Sequence, residues 1–216
     1  MLELKYIGRN HDSSYIANRK HASYYLLPDG IRVLKQLDDP KKYNPRTLRN
    51  ARNAERLSES FIEQRLTFFS VRNRLKKQWG ESLRFFTENQ LVNYPHFPQS
   101  NGYVRLTTES GETQFFVDVL SEHPFFLATR KVNQYLRYAE EEASTWKEKT
   151  NSDLPHVLLI CENASLQKRL LKKMKKAIED GNMRLYATNM EDLRRANPSW
   201  QNMANPEEKF SLIDIM

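Results

Sequence analysis

The run PHVLLICE, Pro155 to Glu162, constrains the fold more than any other part of this sequence. Val157 to Cys161 are apolar without interruption, a stretch too short for a membrane span and lacking the alternation of a half-exposed strand. Such a run reads as a strand covered on both faces, and a strand of that kind needs helices packed above and below its sheet. The flanking sequence supplies helices. Before the run, the segment from about Phe126 to Lys147 places Val132, Tyr135, Leu136, Ala139 and Ala143 on one side of a helix. After it, ASLQKRLLKKMKKAIEDGN aligns Leu166, Leu170, Met174 and Ile178 along one stripe and ends at Gly181. The lysines of this second helix face away from the stripe, as expected of an outer helix whose charges meet water.

Upstream, LRFFTENQLV, GYVRLTT and TQFFVDVL read as three successive strands, the last two joined by an ESGE turn. MRLYATN is a further strand, followed by a short helix near Glu191 to Arg195. The order is therefore three antiparallel strands, helix, strand, helix, strand, which predicts an α/β fold with a mixed central sheet flanked by helices. From Asn197 onward no period is evident, and the tail is expected to wrap the surface or fray.

The N-terminal third has a different texture. Two β-prone runs, Tyr15 to Ala17 and Ser23 to Leu27, flank a basic tip of Arg19, Lys20 and His21, a wing-like β-hairpin. Pro28, Asp29 and Gly30 then introduce a short helix carrying Ile31 and Leu34. From Asn44, a capping residue followed by Pro45, to Trp79 an apolar stripe recurs at helical spacing, with TFFS as a candidate break. Arg46, Arg49, Arg52, Arg56, Arg65, Arg72, Arg74, Lys76 and Lys77 outnumber Glu55, Glu59 and Glu63 on this segment. It reads either as a phosphate-contacting surface or as a solvated face. The predicted divisions are 1–40 for the hairpin and its helix, 41–80 for the basic helical segment, 81–196 for the α/β core and 197–216 for the tail.

A resemblance enters through YYLLPDGIRVL, NPRTLRNARNAERL, FFVDV followed by RKVNQYLRY, and LYATNMEDL with Trp200 downstream. Together these resemble the replication-relaxation family of plasmids and integrative elements. The resemblance implies a winged-helix module, here incomplete, joined to a restriction-endonuclease-like core. It also implies a role beside plasmid replication, relaxation or mobilisation functions, with a relaxase or replication protein as a possible partner.

Cleavage on such a core needs carboxylates converging on a divalent cation, together with a lysine that orients the attacking water. Asp118 stands on the third strand of the meander, but Leu120 occupies the position two residues later. On the second strand, Ser100 and Asn101 stand where an aspartate is wanted. Lys131 could replace the missing amine, and Glu122 could assist. One carboxylate and a neutral amide supply too little charge for tight binding, so a degenerate site is expected, with Mg²⁺ relevant only if cleavage survives. The bland reading of Asp118 is a helix cap or a partner for Lys131.

Other chemistry finds little support. The five histidines lack zinc-ligand spacing, the six glycines form no phosphate loop, and the single cysteine, Cys161, reads as a buried structural thiol. No cofactor is expected. A net charge of +7 favours polyanionic partners. With neither an apolar span nor a secretory signature evident, the expectation is a cytoplasmic DNA-binding protein with a non-cutting core. An active metal-dependent nuclease and a protein-interaction platform without DNA affinity are the competing readings.

Overall fold

The computed structural model describes residues 5–10, 22–36, 48, 51, 56–91, 94–109, 111–179, 183–195, 197–212 and 214. It contains two compact units, Met1–Arg65 and Leu66–Met216.

In the first unit, β1 (Ile7–Asn10) and β2 (Ser23–Leu26) form an antiparallel hairpin with Ile7 opposite Leu26 and Asn10 opposite Ser23. The first strand thus lies upstream of the predicted Tyr15 to Ala17, which fall outside the described residues together with the tip Arg19, Lys20 and His21. Helix α1 (Pro28–Gln36) starts directly after β2, with Pro28 at a first position where no amide hydrogen is required. Gly30 is fixed there by close approach, because any Cβ would collide with the Tyr6 carbonyl.

Helix α2 (Glu59–Trp79) begins at Ser58, whose Oγ accepts from the Phe61 amide at 3.3 Å. The predicted break at TFFS does not occur. Thr67 to Ser70 are helical, and the interruption falls instead at Arg56 to Ser58, which lie outside α2. Phe68 and Val71 sit at helical spacing and are both buried, which is reason enough for the helix to run straight through.

The second unit is built on a seven-stranded sheet whose spatial order follows the chain: β3 (Leu83–Thr87), β4 (Gly102–Thr108), β5 (Gly111–Leu120), β6 (His156–Cys161), β7 (Leu185–Asn189), β8 (Trp200–Asn202) and β9 (Lys209–Phe210). Strands β3 to β5 are an antiparallel meander, β5 to β7 are parallel, and β8 and β9 return antiparallel. A short helix α3 (Glu88–Leu91) follows β3. The parallel connections are α4 (Phe125–Thr150) and α5 (Ala164–Glu179). Both crossovers move in the same direction along the sheet, so right-handed connection puts both helices on one face.

Alternation along the strands divides the core in two. Phe116, Leu120, Val157, Leu159 and Leu185 meet α4 and α5, while Phe115, Val117, Val119, Leu158 and Ile160 face Phe68, Val71 and Leu75 of α2. Leu166, Leu170, Met174 and Ile178 of α5 are all buried, as their spacing predicts. Each contributes roughly 1.5–3 kcal/mol of apolar transfer. Gly102 permits α2 to come close, since a Cβ there would lie 2.7 Å from the Phe68 ring.

The tail corrects the sequence reading. It adds β8 and β9 to the sheet, with Trp200 and Met203 fully buried and Leu212 nearly so. Helix α6 (Met190–Leu193) is capped by Asn189, whose side chain accepts from the Glu191 and Asp192 amides. Among the described residues no helix is long and apolar enough to cross a membrane.

Candidate functional site

Asp118 belongs to the β5 residues that face α4, between Phe116 and Leu120, and is 0% exposed. Burying a carboxylate is costly unless its oxygens find donors, and here both do. Oδ1 accepts from the Asn101 amide at 2.8 Å. Oδ2 accepts from the Tyr135 hydroxyl at 2.5 Å and lies 3.4 Å from the Lys131 ammonium. Asn101 is itself fixed in place, its side-chain oxygen accepting from the Val119 amide at 3.0 Å. Lys131 also donates to the Gln99 carbonyl. The segment preceding β4 is therefore clasped to β5 and α4 by one carboxylate and its partners.

Helical geometry explains how α4 supplies two of those partners. Lys131 and Tyr135 are four residues apart and project from the same face one turn apart. Burial raises the Asp118 pKa, opposed by the Lys131 charge and by the hydrogen bonds from Tyr135 and Asn101. The Tyr135 hydroxyl is pushed well above its ordinary value by burial first and then by the neighbouring carboxylate, so it remains a donor.

Sequence reasoning paired Asp118 with Lys131, and the structure brings those two together. Glu122 goes elsewhere. Its carboxylate accepts from Asn163 Nδ2 at 2.7 Å and lies 3.4 Å from Arg169, sharing no partner with Asp118 among the described residues. Of Ser100 and Asn101, which stand where an aspartate is wanted, Asn101 engages Asp118, but through its backbone amide. The residue that the sequence argument missed is Tyr135. Its place at Lys131 plus four was the available signal, but a core tyrosine on an apolar stripe looks the same whether or not its hydroxyl meets a carboxylate.

A divalent cation does not fit this donor set. The Asp118 oxygens are already directed at three donors, and an ammonium stands where a cation would have to approach. Among the described residues, no three His, Cys, Asp or Glu side chains group closely enough to hold a metal.

The basic positions divide. Arg56 is described and exposed, whereas Arg46, Arg49 and Arg52 lie outside the described residues. Arg74 is structural: its guanidinium donates to the carbonyls of Leu193 at 3.1 Å, Arg194 at 2.5 Å and Arg195, closing the end of α6. Lys76 likewise donates to the Gly80 and Leu83 carbonyls at 2.8 and 3.2 Å. Lys77 remains exposed, as do Lys168, Lys172, Lys173, Lys175 and Lys176 on the outer side of α5. Cys161 is fully buried, and burial pushes its thiol up to about 12, which keeps it protonated and inert.

Comparison with protein-family models, with curated proteins and with solved structures finds no match for this chain.

Proposed function

We propose that this chain is a DNA-binding accessory protein whose nuclease-like sheet holds a structural clasp in the place of a metal centre. The observation that carries the reading is Asp118: fully buried, both oxygens engaged by protein donors, and paired with Lys131. The setting implied by the sequence resemblance is the replication, relaxation or mobilisation of a plasmid or integrative element, with a relaxase or replication protein alongside.

The support for DNA is electrostatic. A chain of net charge +7 that presents Arg56, Lys77 and the outer lysines of α5 to solvent suits phosphate contacts, which give affinity with little base reading. Arg19, Lys20 and His21, with Arg46, Arg49 and Arg52, extend the same proposal to positions outside the described residues.

Two measurements test it. Mobility shifts on duplex DNA should weaken steeply between about 50 and about 200 mM salt, with a slope that falls in the double variant Arg19→Glu, Lys20→Glu. Absence of any shift at moderate salt would instead favour a protein-interaction platform. Supercoiled plasmid incubated with Mg²⁺ or Mn²⁺ should stay intact; nicking that disappears in Asp118→Asn would establish an active nuclease and overturn the proposal.

A further inference from the structure

Back along β5 from Asp118, on the same face of the sheet, the polar clasp gives way to a cavity of about 490 Å³. That volume lies within the roughly 300–1,000 Å³ typical of small-ligand sites. Six aromatic side chains line it: Phe86, Tyr94, Phe97, Tyr103, Tyr138 and Trp146. The rings brace one another. The Phe97 centroid is 5.1 Å from those of Tyr103 and Trp146 and 5.3 Å from Tyr94. Tyr94 is 56% exposed, a ring that borders the cavity while remaining open to solvent.

Polar and charged side chains also border this cavity. Lys149, on the exposed last turn of α4, lies 2.9 Å from His96 Nε2 and has no carboxylate partner among the described residues. Arg105 is engaged by Glu112 through two hydrogen bonds, which leaves that pair neutral. Glu142 offers an acceptor, and the Tyr103 hydroxyl makes no hydrogen bond within the described residues.

We propose that this cavity receives the base of a single-stranded DNA segment, with the adjoining phosphate against Lys149. The inference rests on the DNA-binding reading and deepens it by naming the strand state. Flat aromatic walls favour a planar occupant by face and edge contact, and they do so without regard to base identity. The Lys149 ammonium, which lies against the His96 ring and has no carboxylate partner among the described residues, favours an occupant that places a negative charge next to its ring. Every nucleotide does this, whereas an aromatic peptide side chain does so only beside an acidic neighbour. Glu142 and the Tyr103 hydroxyl can meet the polar edge of a base.

The three tryptophans make the test local. Trp146 borders the cavity, while Trp79 and Trp200 pack in the core on the other face of the sheet. Titrating the full chain with a short single-stranded oligodeoxynucleotide should quench tryptophan fluorescence saturably, and the quench should vanish in Trp146→Phe. Tyr94→Ala should weaken single-strand binding about tenfold, the loss of one stacking contact, and leave duplex binding unchanged. Lys149→Glu should weaken single-strand binding as well and serves as the second variant, with circular dichroism to verify that both fold. Single-strand binding that leaves Trp146 silent, or that is indifferent to both variants, overturns the cavity assignment while leaving DNA binding intact. Failure of single strand and duplex alike removes both proposals. Quenching by an acidic aromatic peptide where the oligonucleotide gives none would overturn the assignment in favour of a protein anchor.

Discussion

The two ends of α4 hold the same strap, residues 94–101, by different means. Near its start, Lys131 and Tyr135 converge with Asn101 on a buried carboxylate, and each Asp118 oxygen has its donor. Farther along, Tyr138 donates to the His96 carbonyl at 2.8 Å and Lys149 meets the His96 ring, yet an aromatic cavity remains between strap, helix and sheet. The contrast teaches how polarity shapes space. A charge removed from water demands directional partners at short range and draws its surroundings closed. Aromatic rings make no such demand and pack at centroid distances of roughly 4.5–7 Å, which tolerates an opening beside them.

This comparison can be broken by experiment. The largest effect should come from Asp118→Ala, which leaves the Asn101 amide and the Tyr135 hydroxyl without this acceptor and the Lys131 ammonium without its counter-charge; urea denaturation should register a loss of about 3–5 kcal/mol. A stability unchanged by that substitution would mean that the carboxylate is not the clasp described above.

The second effect is a pH dependence. His156 borders a cleft of about 700 Å³ near the far end of α4, and burial, helped by Arg184, lowers its pKa to about 4 from the ordinary 6.5. The folded protein therefore prefers the neutral ring. That contribution is present above about 6.5 and is lost as pH falls toward 4, because the unfolded chain takes up the proton first. Melting curves at stepped pH should show a loss of at most about 3 kcal/mol over that window, reduced in His156→Gln. An identical acid limb in the variant would assign the effect to other groups.

Tyr135→Phe comes third. It deletes one donor to Asp118 while preserving the ring that stacks near Phe116, and chemical denaturation should report a cost of about 1–3 kcal/mol. The smallest effect belongs to the open end. Tyr94→Ala should alter stability by about 0.5 kcal/mol or less, as for other exposed positions. A large loss there would show that the cavity wall is core after all and would erase the distinction between the two ends.

How far the sequence made this legible varied with the length and period of each element. The α5 stripe runs through four buried residues over more than three turns, and the uninterrupted apolar run of β6 announces a strand covered twice. Those signals are long enough to outweigh local noise. Strands β8 and β9, of three and two residues, span too little chain to display any period, so the tail read as surface although Trp200 is fully buried. The break in the basic helical segment, expected at TFFS, falls before Glu59 because helical composition continues across the boundary and only the Ser58 cap marks it. At the site, Asp118 and Lys131 could be paired from the sequence since opposite charges at the end of a strand and the start of the next helix are readily brought together. The departure of Glu122 toward Asn163 and Arg169 could not be read, because its partners lie some forty residues farther along the chain.

The sequence by itself determined the layers of the core: the strands from β3 to β7, the two helices α4 and α5 that cross between the parallel ones, and a mixed sheet that has to be covered on both faces, because hydrophobic period is a local property of the chain. Only the tertiary structure decided what the polar residues do. Whether Asp118 faces a cation or a tyrosine, whether Arg74 meets a phosphate or three carbonyls, and whether six aromatic rings close into a core or leave a cavity all depend on atoms from distant segments arriving within a few ångströms of one another. Hydrogen bonds and charges act at that range, and sequence spacing does not record it.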